Sequence, residues 1–241
     1  MPEKLIVICG PTATGKTRLG VALAQRLDGE VVSADSMQVY RRMDIGTAKP
    51  TPEEMRGIPH HMLDVADPEE DFSVARYVEL AAPCVDDILA RGKLPIVAGG
   101  TGLYLDSLLS GRTFAPFSPD GGLRARLEAR FDALGGEAML GELAAADPEA
   151  AARLHPNDRK RIRALEVFQQ TGKTISQHNR ETRALPLRYD ALTLSLAFQR
   201  REDMWARIDR RVDEMMAAGL AEEVRALLDS GVPVRCTAMQ A

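Results

Sequence analysis

Residues Gly10-Pro11-Thr12-Ala13-Thr14-Gly15-Lys16-Thr17 form a complete G-x-x-x-x-G-K-[ST] phosphate loop. The loop directly follows the apolar run Leu5-Ile6-Val7-Ile8-Cys9 and precedes a helical pattern from Leu19 to Leu27. This order of strand, loop and helix constrains the fold more than any other feature of the chain. Glycines let successive backbone N–H groups turn inward around a phosphate, and the following helix aims the positive end of its dipole at the same place. Lys16 adds a cation, and the Thr17 hydroxyl is the usual protein ligand to a Mg²⁺ that bridges phosphate oxygens. The segment reads as a diphosphate- or nucleotide-binding site rather than a plain strand-to-helix turn.

Short apolar runs bounded by turn residues alternate with helical patterns through the first half of the chain, as in a parallel sheet covered by helices. Strands are expected at residues 4–9, 30–34, 94–98 and 191–198, and helices at 16–27, 73–90 and 103–109. Right-handed crossovers would bring the loop 10–17, Asp35 and the segment 99–101 to one edge of the sheet. From about Thr113 the texture changes. Pro116, Pro119, Gly121 and Gly122 read as a linker, and the stretch 123–177 is rich in Ala, Arg, Glu and Leu at helical spacing with no strand signal. The expectation is a P-loop NTPase-like α/β fold, a parallel sheet flanked by helices, with an all-helical insertion domain. Residues 1–113 and 191–241 would form the catalytic core and 114–190 the insertion. Two closing helices, 202–217 and 220–228, are split by Gly219, a plausible helix stop.

Composition narrows the setting. With 241 residues, 45% of them hydrophobic, the chain can bury a sizeable core. No apolar stretch approaches the length that spans a bilayer, and the N-terminus runs straight into a strand, so no membrane partner or signal peptide is expected and the location expected is cytoplasmic. Cys9, Cys84 and Cys236 are scattered, and the four histidines show no metal-site spacing with them. A monomer is expected. The net charge of −4 would argue against a nucleic-acid partner, yet basic residues cluster between Arg153 and Arg163 and between Arg200 and Arg211, which permits a local basic face.

Two further segments carry chemistry-bearing residues. The second strand leads into Ser33-Ala34-Asp35-Ser36-Met37-Gln38-Val39-Tyr40, where a carboxylate at the strand end can face an acceptor and take its proton; a helix cap by Asp35 or Ser36 fits the spacing equally. The third leads into Gly99-Gly100-Thr101-Gly102-Leu103-Tyr104, whose glycines permit close backbone approach to a ligand, with Thr101 either on a phosphate or capping a helix. Arg207 and Arg211 lie one helical turn apart, on one face of a helix or simply on its solvated side.

These segments, together with Asp44-Ile45-Gly46-Thr47-Ala48-Lys49-Pro50, Pro59-His60-His61-Met62-Leu63-Asp64 and Arg163-Ala164-Leu165-Glu166-Val167, closely resemble the tRNA dimethylallyltransferases in order and spacing across essentially the whole chain. The resemblance implies transfer of a dimethylallyl group from dimethylallyl diphosphate to N6 of the adenosine 3′ of the anticodon, with Mg²⁺ on Thr17 and release of diphosphate. It assigns Asp35 the proton, Thr101 support of the diphosphate cluster, and Arg211 a planar clamp on the diphosphate. It places Asp35, Ser36, Met37, Gln38 and Thr101 around the target base, and Arg159, Lys160, Arg161, Ile162 and Arg163 against the tRNA anticodon stem-loop. The stretch between Arg161 and Arg163 is one residue shorter than the family pattern. The chain also ends at Cys236-Thr237-Ala238-Met239-Gln240-Ala241, where relatives continue through an Ile-Gly-Tyr motif, and the expectation is a truncated product. The alternatives are a P-loop kinase of a nucleotide or small metabolite, with ATP in the loop, and a non-catalytic tRNA-binding protein on the same fold. The helical basic insertion and the Gly-Gly-Thr-Gly-Leu-Tyr segment speak against the kinase.

Overall fold

A computed structural model of the chain describes residues 3–111, 122–155, 160–183 and 185–240, the side chains of Lys160, Arg161 and Arg183 excepted. The linker expected around Pro116 and Pro119 lies outside the described residues, as do Arg159 and Ala241. The chain divides into two compact units, Met1–Gly111 with Leu187–Ala241, and Arg112–Pro186.

In the first unit the elements run β1 (Glu3–Cys9), α1 (Lys16–Leu27), β2 (Gly29–Ser33), α2 (Pro52–Met55), β3 (His60–His61), α3 (Val74–Ala90), β4 (Leu94–Ala98) and α4 (Gly102–Leu109). In the second come α5 (Gly122–Ala146), α6 (Pro148–Ala151), α7 (Lys160–Thr171) and α8 (Ile175–Arg183). The first unit then resumes with β5 (Tyr189–Ser195), α9 (Arg201–Ala217), α10 (Leu220–Asp229) and a 3₁₀ turn, Thr237–Gln240. All strand pairs are parallel and the sheet order is β3-β2-β4-β1-β5.

The apolar run of β1 follows from its place inside the sheet. Leu5 and Val7 join a large core with β2, β4, α3 and α4, while Ile6 and Ile8 join a smaller one with Val31, Ile96 and Ala24 of α1. A strand buried on both faces needs apolar residues at consecutive positions. Helix α3 starts at Ser73, whose Oγ accepts from the Arg76 N–H, and it buries Tyr77, Ala81, Val85 and Ile88 at spacings of one helical turn.

The structure departs from expectation at the sheet edges. β5 occupies Tyr189–Ser195 rather than 191–198. The Leu196 N–H still bonds to the Cys9 carbonyl, but its own carbonyl passes so close to Gly10 that a Cβ there would lie 2.3 Å from it. Gly10 also has φ +138°, and the chain leaves the sheet where the phosphate loop begins. β3 is only two residues long, too short for any periodic signal, and owes its existence to pairing with Val31 and Val32.

The second unit is entirely helical among its described residues. Leu127, Met139, Leu143, Ala150, Ile162 and Leu165 form its core. Asp147 stitches the helices together: Oδ1 accepts from the Ala150 N–H at the start of α6 and Oδ2 from the Ser176 N–H of α8. Helix α5 is broken at Gly135, whose φ of 79° and ψ of 169° lie outside helical geometry. Among the described residues no helix is long and apolar enough to cross a membrane.

Candidate active site

The strand ends of β1, β2 and β4 open onto one cleft of about 850 Å³ in the first unit. Its floor is the phosphate loop, all of residues 10–17 except Thr14, whose hydroxyl instead donates to the Pro11 carbonyl. Lys16 folds back on the loop and donates from Nζ to the Gly10 and Pro11 carbonyls, at 2.9 and 2.7 Å, which ties the ammonium to the loop's first two residues. Burial pushes the Lys16 pKa down; the charge of Asp35 opposes that shift and the charge of Arg211 adds to it. Two groups distant in sequence thus share the field of the loop.

Arg211 arrives from α9. That helix has no fully buried residue, and its half-buried positions Met204, Ile208, Arg211 and Met215 follow a spacing of four, three and four. One stripe therefore faces the unit, and Arg211 belongs to it. Its Nη1 donates to Thr12 Oγ1 at 2.9 Å, placing a guanidinium at the lip of the phosphate loop. Arg207 and Arg210 also line the cleft but stay exposed, Arg207 standing over the Phe198 ring.

Asp35, also on the cleft lining, is half-buried. Oδ1 accepts from the Met37 and Gln38 N–H groups at 2.9 and 3.4 Å, capping the turn that follows β2. No helix follows this turn, so Asp35 caps a turn rather than a helix; it also lines the cleft, where its second oxygen is not used by the turn. Gln38 also lines the cleft. Its Oε1 accepts from the Ser33 hydroxyl and its Nε2 donates to the Thr47 and Ala48 carbonyls.

Thr101 stands at the N-cap of α4 without capping it. Its Oγ1 accepts from the Ser36 N–H at 3.0 Å and lies 3.3 Å from the Ser36 hydroxyl, so it ties the β4 loop to the β2 loop. Thr101, Ser36 and Met37 are absent from the cleft lining, while Gly100 is on it. The neighbouring Gly99 is required by contact: a Cβ there would lie 2.1 Å from the Ala34 carbonyl oxygen. Behind them Tyr77 stacks on Tyr104 with centroids 4.2 Å apart, and its hydroxyl donates to the Ser33 carbonyl. Burial first, then the charges of Tyr40 and Asp35, push the Tyr104 pKa up to about 12.

The residues expected on an RNA fare differently. Ile162 is 2% exposed within the second unit's core, so its side chain is spent on packing and leaves only its backbone for an RNA. Arg163 donates from Nη1 to the buried Glu166 at 2.7 Å. Arg159 and the side chains of Lys160 and Arg161 lie outside the described residues.

Among the described residues there is no group of three or more His, Cys, Asp or Glu side chains placed to hold a metal. The Thr17 hydroxyl and the Asp35 carboxylate do share the cleft. A hydroxyl and a single carboxylate beside a phosphate loop suit Mg²⁺, which keeps several waters and takes other oxygens from substrate phosphates.

Asp44, Ile45, Ala48, Lys49 and Glu54, to which the sequence alone assigns no role, also line the cleft. The Asp44-Ile45-Gly46-Thr47-Ala48-Lys49-Pro50 run carries no familiar chemical motif, and only its match to a family signature drew attention to it.

A parallel sheet whose first strand feeds a phosphate loop, with Arg211 of α9 against the loop and the Asp35 carboxylate in the same cleft, defines a phosphate-loop α/β protein. The chain belongs to the IPP transferase family, whose model matches residues 38–241, and a second model, isopentenyl transferase, matches residues 3–70. It is 50% identical over 238 residues to tRNA dimethylallyltransferase 1 of Pelobacter propionicus, covering 98% of this chain and 76% of that one. It is 46% identical to the tRNA dimethylallyltransferase of Halalkalibacterium halodurans, over 100% of this chain and 76% of that one. The crystal structure of the full-length tRNA isopentenylpyrophosphate transferase from Bacillus halodurans aligns over 99% of this chain and 74% of that one, with a TM-score of 0.67 and 44% identity. A eukaryotic dimethylallyltransferase acting on tRNA aligns over 99% of this chain and 59% of that one, with a TM-score of 0.83 and 35% identity.

Proposed function

We propose that the chain transfers a dimethylallyl group from dimethylallyl diphosphate to the exocyclic N6 of the adenosine 3′ of the anticodon in tRNA, releasing diphosphate. One juxtaposition carries the reading: Lys16, Arg211 and Thr12 gather at the phosphate loop, while Asp35 and Gln38 line the same cleft. In this reading the loop binds a leaving group. The allylic C–O bond breaks with its electron pair going to diphosphate, whose growing charge meets the loop amides, Lys16 and Arg211. The N6–C bond forms and the surplus proton on N6 passes to Asp35, whose second oxygen is not used by the turn. Thr17 would hold Mg²⁺, with Asp35 nearby; the ion would supply further neutralisation of the diphosphate.

A base stacked in an anticodon loop cannot reach such a cleft, so the adenosine would turn out of its stack, and Gln38, on the cleft lining, would meet its edge through the Oε1 lone pair that Ser33 leaves. The second unit, with its basic α7 segment, would meet the stem-loop. The protein would act as a monomer in the cytoplasm, where its tRNA substrate is found.

The test is incubation of the chain with Mg²⁺, labelled dimethylallyl diphosphate and an anticodon stem-loop bearing the target adenosine, with labelled ATP and mononucleotides in parallel. Label on the stem-loop is expected. Phosphoryl transfer from ATP without prenyl transfer would replace the proposal with a kinase.

A further inference from the structure

Glu223, in the first turn of α10, does not line the cleft, yet it accepts three consecutive backbone N–H groups from the loop that does. Oε2 accepts from Asp44 at 2.7 Å and Ile45 at 2.8 Å, and Oε1 from Gly46 at 2.9 Å. The partners lie 177 to 179 positions away in sequence. Three convergent amides on one carboxylate are a fixed, charge-assisted anchor. The packing agrees, since a Cβ on Gly46 would lie 3.1 Å from Leu220 Cδ1 and 3.4 Å from Glu223 Oε1.

From its other side the same loop is pinned by Lys49, whose side chain is 6% exposed. Its Nζ donates to the Tyr40 carbonyl at 2.9 Å and to Asp44 Oδ1 and Asp64 Oδ1 at 2.6 Å each. Between these anchors sit the Thr47 and Ala48 carbonyls that accept from Gln38 Nε2. The Ser33 hydroxyl on Oε1 and two carbonyls on Nε2 leave Gln38 one amide orientation that satisfies every partner. The Gln38 N–H in turn belongs to the turn capped by Asp35. A continuous set of hydrogen bonds therefore runs from α10 through 44–48 to Gln38 and Asp35. The phosphate loop has no part in it.

We propose that Glu223 is a positioning residue for the acceptor: it holds the turn 44–48 so that Gln38 keeps its place beside Asp35 on the wall that receives the target base. The proposal rests on the functional reading above for the identity of that acceptor. In Glu223→Gln the shape is kept, but one oxygen becomes an NH₂ group that meets backbone donors, so the three-amide anchor cannot be completed. Acceptor binding should weaken while diphosphate binding stays.

The experiment compares the wild-type chain, Glu223→Gln and Glu223→Ala with Glu222→Gln, which removes the same charge from the same turn of α10. The readouts are amide exchange of residues 44–48, affinity for inorganic diphosphate, affinity for the anticodon stem-loop, and the melting temperature. In Glu223→Gln, faster exchange at 44–46, diphosphate affinity within about twofold and stem-loop affinity weakened about tenfold or more are expected, with Glu222→Gln like wild type. Equal loss of diphosphate and stem-loop affinity, or unchanged stem-loop affinity despite faster exchange, overturns the proposal, because either makes Glu223 a purely structural cap. The binding arms do not require turnover. A wild-type chain that transfers no prenyl group but loses stem-loop affinity in Glu223→Gln would refute the reaction and leave the positioning role standing.

Discussion

Replacing Asp35 separates its two tasks. Oδ1 caps the turn through the Met37 and Gln38 amides, and in the proposed reaction the other oxygen takes the proton. In Asp35→Asn the carbonyl oxygen keeps the cap, but the NH₂ group cannot accept a proton. Turnover should fall about 10²- to 10⁴-fold, the range for a positioned base, equivalent to roughly 3–5 kcal/mol of barrier. Stability should barely change. Asp35→Ala should lose the same turnover and also the cap, about 1 kcal/mol, or a melting shift of roughly 2–4 °C in a chain of this size. A third effect follows from Lys16. Its pKa is depressed by burial, and Asp35 works against that depression, so removing the carboxylate lets the Lys16 pKa fall further. Diphosphate binding in Asp35→Asn should therefore weaken at lower pH than in wild type as the solution is made alkaline. The assay is single-turnover transfer with both substrates saturating, alongside thermal melts and diphosphate titrations across pH. Wild-type rates in Asp35→Asn would remove Asp35 from proton transfer, and equal melting losses in the two variants would refute the division between the oxygens.

Gly99→Ala forces a Cβ to 2.1 Å from the Ala34 carbonyl oxygen, a backbone contact that no side-chain rotation relieves. It should cost about 2 kcal/mol or more and slow transfer by displacing the strand end that carries Asp35, and an unchanged urea midpoint would show that the loops can separate freely. Arg211→Ala should raise the KM for the diphosphate donor about ten- to hundredfold, as expected for loss of a hydrogen bond to a charged group, while exposed Arg210→Ala should change it less than about threefold. The reverse order in steady-state kinetics would move the clamp to Arg210. Glu30, 2% exposed, is held well below the usual carboxylate range by hydrogen bonds from Arg91 first, then His61 and Lys93, against the opposing effect of burial. A carboxylate whose folded pKa is depressed contributes stability above its unfolded value, near pH 4.3, and loses it as pH falls toward the folded value. The stability gap between wild type and Glu30→Gln should thus narrow from pH 7 to pH 3 in urea melts, and a constant gap would refute the ion-pair account.

Where a residue's role depends on its immediate neighbours, the sequence by itself determined it. The apolar run of β1, the glycines of the phosphate loop and the good helix formers of α1 and α3 act over one or two turns of chain, so their pattern is complete in sequence. The bounds of β4 are read correctly to the residue for the same reason. Tertiary structure decided what depends on distant contacts. The two-residue β3 exists only beside β2, and β5 stops where Leu196 meets Gly10. Ile162 sits in a basic run but faces a core built from α5, α6 and α7. Thr101, in a position to cap α4, spends its hydroxyl on Ser36, and Glu223 looks like any acidic residue in a helix's first turn until the fold sets three amides before it. Local pattern records backbone preference and burial, whereas hydrogen-bond partners far apart in the chain are chosen only when packing brings them within reach.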